Sequence, residues 1–173
     1  MVWYAGNGNG HIGKLDPATG KITRYPMPSG GSDPHTLIFD RKGDIWFTAQ
    51  GANHVGRLRT GTGKVDVIEV PTGNSRPYGI EVDSKGRPWF NEFGSDKIAT
   101  VDPATLQIKE YMLPNERSRT RRIAITSDDR VWFVDYSRGF LGRLDPATGR
   151  FQEWALPAGG SALPYAMAVD GQD

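Results

Sequence analysis

A single spacing constrains this chain more than any other property. A tryptophan followed by a second aromatic occurs at Trp3-Tyr4, Trp46-Phe47, Trp89-Phe90 and Trp132-Phe133, each pair 43 residues after the last. A second marker keeps the same step. Pro28, Pro71, Pro114 and Pro157 each follow an apolar residue, namely Met27, Val70, Leu113 and Leu156. Two unrelated markers on one period argue against coincidence. A fixed period of about 40–45 residues is the signature of stacked supersecondary units, here the blades of a β-propeller.

Each unit reads as four short strands. In the second unit they fall near His35–Asp40, Asp44–Gln50, His54–Arg59 and Val65–Val70, separated by Gly-, Asn- and Asp-bearing turns. We call them a, b, c and d. No segment holds a helical apolar stripe over ten or more residues. The expected fold is therefore all-β, a propeller of four 43-residue, four-stranded repeats. The units are 1–33 plus 163–173, then 34–76, 77–119 and 120–162, all within one domain. The turns between strands c and d read Asp16-Pro17-Ala18-Thr19-Gly20 and Asp145-Pro146-Ala147-Thr148-Gly149. Their glycines supply the left-handed conformation that closes the hairpin. The third copy ends in Leu106, so it must turn differently or carry strain. The tryptophans fill the layers between blades, because one four-stranded sheet cannot bury its own faces. Gly13, Gly56 and Gly142 recur in strand c, with Ala99 in the third unit, and admit a neighbouring ring.

Residues 163–170 read as a strand a, whereas Val2–Ala5 read as a strand b. The reading predicts that Val169 pairs with the Val2–Tyr4 segment and completes the N-terminal blade. That clasp forms within one chain, giving a monomer, or between two, giving a homodimer. Its purpose would be to remove open edges.

Composition excludes several classes. There is no cysteine, hence no disulfide and no thiolate metal site. The formal charge of +1 gives no general attraction to nucleic acid or membrane. Neither a leader-like segment nor a bilayer-spanning run follows Met1, so a soluble protein is expected, cytoplasmic or periplasmic. Arg117, Arg119, Arg121 and Arg122 form the one run of like charge. It reads as a solvated loop or an anion site at the channel rim.

Strand order also predicts where chemistry sits. Antiparallel strands a and b bring the start of a and the end of b to one rim of the channel. The first row is His35, Tyr78, Arg121 and, one residue late, Tyr165. Two residues earlier stand Asp33, Arg76, Arg119 and Leu163. The strand-b ends are Gly6, Ala49, Glu92 and Asp135. Repeats stay alike where they only pack; these rows differ from blade to blade, as a site grafted on a scaffold would. His11 and His54, equivalent to one another at the start of strand c, read as structural.

The units Pro-His/Tyr-x-Ile, Gly-x-x-Trp-Phe-x-Glu and Ile-Gly-Arg-Leu-Asp-Pro-x-Thr-Gly resemble the blade repeat of the virginiamycin B lyase (streptogramin B lyase) family, over essentially the whole chain. The resemblance implies a seven-bladed ring. It also implies Mg²⁺-dependent elimination, without water, that opens the ester-closed ring of a cyclic peptide antibiotic. In that family a histidine starting one strand a binds substrate. The next blade supplies Glu-x-His there and a glutamate ending strand b; its histidine is the base and the glutamates hold Mg²⁺. Carried over, His35 becomes the substrate histidine, Tyr78 stands at the base, and Arg76 and Glu92 stand at the two glutamates. A shifted register makes Asp33 a metal carboxylate and His35 the base, with Ala49 at the second carboxylate. The resemblance and the rim rows together give His35 and Tyr78 as catalytic candidates, His35, Arg76 and Arg121 as substrate-binding candidates, and Glu92, Asp33 and Asp135 as candidate Mg²⁺ ligands. It implies a small cyclic peptide as partner. A non-catalytic, ligand- or partner-binding propeller is the alternative, as is part of a longer lyase-family protein.

Overall fold

The computed structural model describes residues 1–29 and 32–173. Among them, fifteen strands form four antiparallel sheets. The first sheet is β1 (Val2–Gly6), β2 (His11–Leu15) and β3 (Ile22–Pro26). The second is β4 (Pro34–Phe39), β5 (Ile45–Ala49), β6 (His54–Leu58) and β7 (Val65–Glu69). The third is β8 (Pro77–Val82), β9 (Pro88–Glu92), β10 (Lys97–Val101) and β11 (Ile108–Met112). The fourth is β12 (Thr120–Ile125), β13 (Val131–Asp135), β14 (Phe140–Asp145) and β15 (Arg150–Ala155). Strands within each sheet are ordered as they come in the chain, and β4, β8 and β12 meet one another along the inner edges. These are propeller blades. No helix among the described residues is long and apolar enough to cross a membrane.

Two of the repeated tryptophans lie in the layers between blades, whereas Trp132 is half-buried and stacks on Trp154 of its own blade. Trp46 and Trp89 are fully buried, Trp46 with Ile80 and Phe90, Trp89 with Ile123 and Phe133. Each indole N–H also needs an acceptor. Asp40 accepts it from Trp46 at 3.1 Å, Asp83 from Trp89 at 3.0 Å and Thr126 from Trp132 at 3.1 Å, always from the end of the blade's own first strand. Trp3 has no such strand beside it and stacks on Tyr25 at 5.5 Å.

The strand-c glycines are fixed by the rings they face. A Cβ on Gly13, Gly56 or Gly142 would lie 2.1 Å from Tyr4, Phe47 or Phe133 respectively. Leu106 does carry strain: its φ of 62° matches the left-handed turn of Gly20 and Gly149. Its N–H bonds to the Asp102 carbonyl at 2.8 Å, as Gly20 and Gly149 do to Asp16 and Asp145. Leu106 packs against the core between the second and third sheets, which offsets the roughly 1–3 kcal/mol of a non-glycine residue held there.

Within one chain the predicted clasp does not form. The first sheet has three strands, and residues 163–173 contain none. Met167, Ala168 and Val169 instead border a cleft with Ala124, Trp132 and Leu141 of the fourth sheet. The Asp173 carboxylate accepts the Ser127 N–H at 2.6 Å, and the Tyr165 hydroxyl bonds that of Tyr78 at 2.7 Å. The physical reason is local attachment. The segment follows β15 through one 3-10 turn (Gly159–Ala162) and meets apolar surface and rim partners at once. It therefore lies against the fourth blade, and the strand-b edge at Val2–Gly6 stays unpaired.

Candidate functional site

Three β-bulges build the rim. In β4, β8 and β12 the register with the following strand slips between Pro34 and Leu37, between Pro77 and Ile80, and between Thr120 and Ile123. Two residues at each slip leave the ladder: His35-Thr36, Tyr78-Gly79 and Arg121-Arg122. Bulges re-aim side chains, and here they do so at one level in successive blades. That level is the predicted one, since Pro34 pairs with Ala49, Pro77 with Glu92 and Thr120 with Asp135.

Two buried polar side chains hold the bulges against each other across blades. Thr48 accepts the Thr36 N–H at 3.3 Å and donates its hydroxyl to the Tyr78 carbonyl at 2.7 Å. One unit later Asn91 accepts the Gly79 N–H at 3.1 Å and donates to the Arg122 carbonyl at 3.0 Å. Gly79 has no alternative, because a Cβ there would meet the Arg121 carbonyl at 2.7 Å.

The resulting surface is aromatic and cationic. The His35 ring lies 4.5 Å from Tyr78. The Arg121 guanidinium sits 4.3 Å from the Tyr136 ring, 4.6 Å from Phe93, 4.8 Å from Tyr165 and 5.7 Å from Tyr78. Arg119 covers Phe93 at 4.5 Å, and Arg122 lies 5.3 Å from Tyr78 while donating to the Thr36 hydroxyl at 3.3 Å. Burial and then the Arg122 charge lower the His35 pKa, with Asp33 opposing, so the imidazole is neutral at neutral pH. Its Nδ1 lies 3.0 Å from the Thr36 hydroxyl. Burial, the hydrogen bond to Tyr165 and the repulsion between the two phenols raise the Tyr78 pKa, with Arg121 and Arg122 opposing. Tyr78 thus stays protonated at neutral pH and acts as a hydrogen-bond donor.

The predicted site residues divide. The rim gathers His35, Tyr78 and Arg121. Arg76 is exposed, with a left-handed φ of 53° and its carbonyl accepting the Phe93 N–H at 3.2 Å. The three carboxylates do not meet. Asp33 accepts backbone N–H groups of Gly51 and Ala52. Asp135 is fully buried and accepts from the N–H groups of Arg119, Ser137 and Arg138, and from the Arg138 guanidinium at 3.2 Å. Glu92 is fully buried too; one oxygen accepts the Ser95 hydroxyl at 2.7 Å and the other has no partner. No ion pair joins Glu92 to Arg76 or Arg121 among the described residues; Lys97 and Glu110 are its charged neighbours. Burial pushes the Glu92 carboxyl up to about 7, with the Glu110 charge adding to the rise and the Ser95 hydrogen bond and Lys97 opposing it. Among the described residues no three His, Asp or Glu side chains converge on one point. Mg²⁺ requires near-octahedral oxygen ligands, commonly one or two carboxylates plus water. The residues present do not fit it.

Sequence reasoning placed Arg122 only within the arginine run and missed Phe93, Tyr136, Thr48 and Asn91. A signal existed: Phe93 and Tyr136 are one period apart, as are Thr48 and Asn91.

The model of the Virginiamycin B lyase family matches residues 1–173. A streptogramin B lyase structure superposes with a TM-score of 0.86 at 33% identity, over 95% of this chain and 53% of that one. The virginiamycin B lyase of Staphylococcus aureus gives 0.83 at 31% identity, over 90% and 52%. A catalytically inactive variant of that enzyme, solved with quinupristin, gives 0.78 at 31%, over 85% and 49%. The chain thus spans about half the length of these structures. No curated protein sequence matches it. Blade repeat, rim level and a match along its full length agree: the chain belongs to the virginiamycin B lyase family.

Proposed function

We propose that the rim binds a cyclic, ester-closed peptide of the streptogramin B type and that this chain by itself does not open the ring. The observation that carries the reading is the contiguous row of His35, Tyr78, Arg121 and Tyr165. These are three different side chains at three equivalent repeat positions with Tyr165 beside them, joined by ring contacts and one hydrogen bond. Such a row offers flat faces for the apolar parts of a peptide macrocycle. Its guanidinium and phenol groups donate to peptide and ester carbonyls. Elimination needs a base at the proton beside the ester carbonyl and a stabiliser for the developing negative charge. Where the family pattern has its base this chain has Tyr78, a protonated phenol; where it has its first metal carboxylate stands Arg76. The neutral His35 imidazole is suited to accept a hydrogen bond from the ligand.

Titration with quinupristin, followed by calorimetry and by reverse-phase chromatography with and without Mg²⁺, tests both halves. The expected result is saturable binding with unchanged retention. It should be weakened about tenfold in Arg121→Gln, the cost of one charge-assisted contact. Absence of saturable binding overturns the binding reading. A shifted peak of unchanged mass is the mark of elimination and overturns the non-catalytic one.

A further inference from the structure

The far face of the blades carries a second cluster. At the ends of strands opposite the rim, a cleft of about 430 Å³ opens between the second and third blades. Its cationic side chains are Arg41, Lys42, Arg57, Arg59 and Lys85; its only carboxylates are Asp40 and Asp44. Both acids serve the turn itself. Asp40 accepts the N–H groups of Lys42 and Asp44 and the Trp46 indole, and Asp44 accepts the Thr60 N–H at 3.2 Å.

The repeat supplies the control. The corresponding cleft between the third and fourth blades balances Lys85, Arg87 and Arg130 against Asp128, Asp129 and Asp145. Repeat-related clefts are thus neutral in one place and basic in the other, with Lys85 at the border of both. The sharpest departure is Arg59. Its equivalents Asp16, Asp102 and Asp145 each accept the N–H two residues on, from Ala18, Ala104 and Ala147, and so close their turns. At Arg59 that acceptor is gone, and Asp44 and the Thr60 hydroxyl stabilise the turn instead. The arginine joins Arg57 and Lys64 on one carboxylate, Asp66, at 3.1–3.2 Å. Burial works against that carboxylate, but hydrogen bonds from Lys64, Arg57 and Arg59 prevail and hold its pKa below the ordinary value. One negative charge therefore faces three positive ones. Arg57 is further fixed by a 2.9 Å bond to the Pro103 carbonyl of the next blade and by stacking 5.1 Å over Trp46. Arg41, Lys42 and Lys85 enter no ion pair among the described residues.

We propose that this cleft is a binding site for a small phosphate-bearing anion of at least two phosphate groups, distinct from the rim. Clefts of about 300–1,000 Å³ hold small molecules, and guanidinium forks beside ammonium groups suit phosphate oxygens. The chain as a whole is nearly neutral, so the local excess is not part of a general basic surface.

Pyrophosphate is the probe, added to the full chain at constant ionic strength and followed by calorimetry, with citrate as the non-phosphate polyanion. Saturable pyrophosphate binding is expected. It should weaken about tenfold or more in Arg59→Asp, which restores the residue found in the other three turns. The double variant Lys42→Gln/Lys85→Gln, which leaves the Asp66 cluster whole, should weaken it likewise. Arg150→Gln, in another blade, should leave it unchanged. No saturable binding, or equal affinity in all these variants, overturns the site. Citrate binding as tightly as pyrophosphate overturns the phosphate assignment.

Discussion

Glu92→Gln isolates the cost of one buried charge. The carboxyl is fully buried, one oxygen has no partner and its pKa is near 7 rather than 4.5. Below the unfolded value the group is neutral in both states and costs nothing. As pH rises from the unfolded to the folded value, the unfolded chain ionises this group while the native protein holds it neutral, so stability falls, and the loss is complete above the folded value. At about 1.4 kcal/mol per pKa unit, the full cost is on the order of 3 kcal/mol, and most of it develops between about pH 5 and pH 8.5. Glutamine keeps an acceptor for Ser95 and cannot ionise, so the variant should gain about that much on the wild type over this range. The assay is urea unfolding of both proteins at several pH values, read as the difference in stability at each pH. Any packing cost of the amide is independent of pH and cancels from the slope. His35, whose lowered pKa works in the opposite sense, is common to both proteins and cancels too. Glu110 has a lowered pKa, so its contribution is lost below the unfolded carboxyl value, outside this window. Parallel stability curves would refute the reasoning, because they would mean that Glu92 ionises as freely in the native state as in the unfolded one.

Two further predictions concern packing. Gly56→Ala sets a methyl 2.1 Å from the Phe47 ring and should cost about 1–3 kcal/mol in urea unfolding, whereas equal stability would show that the ring yields freely. Deleting residues 163–173 uncovers Trp132 and Leu141 and removes the Tyr78 hydroxyl's partner. The expected outcome is red-shifted tryptophan emission and light scattering from aggregates; a soluble product with unchanged emission would show that the segment covers nothing in solution.

Much of the fold was legible because its signals are periodic. Two markers at one step defined the units, and antiparallel order alone put His35, Tyr78 and Glu92 at one level. The direction in which Glu92 points was legible as well, though the sequence reading passed over it. It lies two residues from Phe90 on the same strand, hence on the same sheet face, and Phe90 faces the layer between blades. The cage around Arg121 was legible only in part: Tyr78 and Tyr165 fall in its row, whereas Phe93 and Tyr136, just past the strand-b ends, are brought to it by the fold. The clasp within one chain failed for another reason. The match between Val169-Asp170 and the Val82-Asp83 pattern states which strand the segment resembles. It does not state which sheet is within reach.

The bridges made by Thr48 and Asn91 mean that the third and fourth blades are not positioned by their own sequences alone. At the rim each takes its reference from the blade before it, through one side chain that lies behind the rim surface. Errors of placement therefore accumulate along the stack as they do in a row of tiles laid edge to edge. Exchanging Thr48 for a larger residue would shift Tyr78 and everything after it, and would release the Thr36 N–H beside His35. A lineage of such proteins thus has two routes to a new ligand preference. It can replace the residues that meet the ligand, or keep them all and alter the spacer behind them. The second route would leave every rim residue unchanged in the sequence.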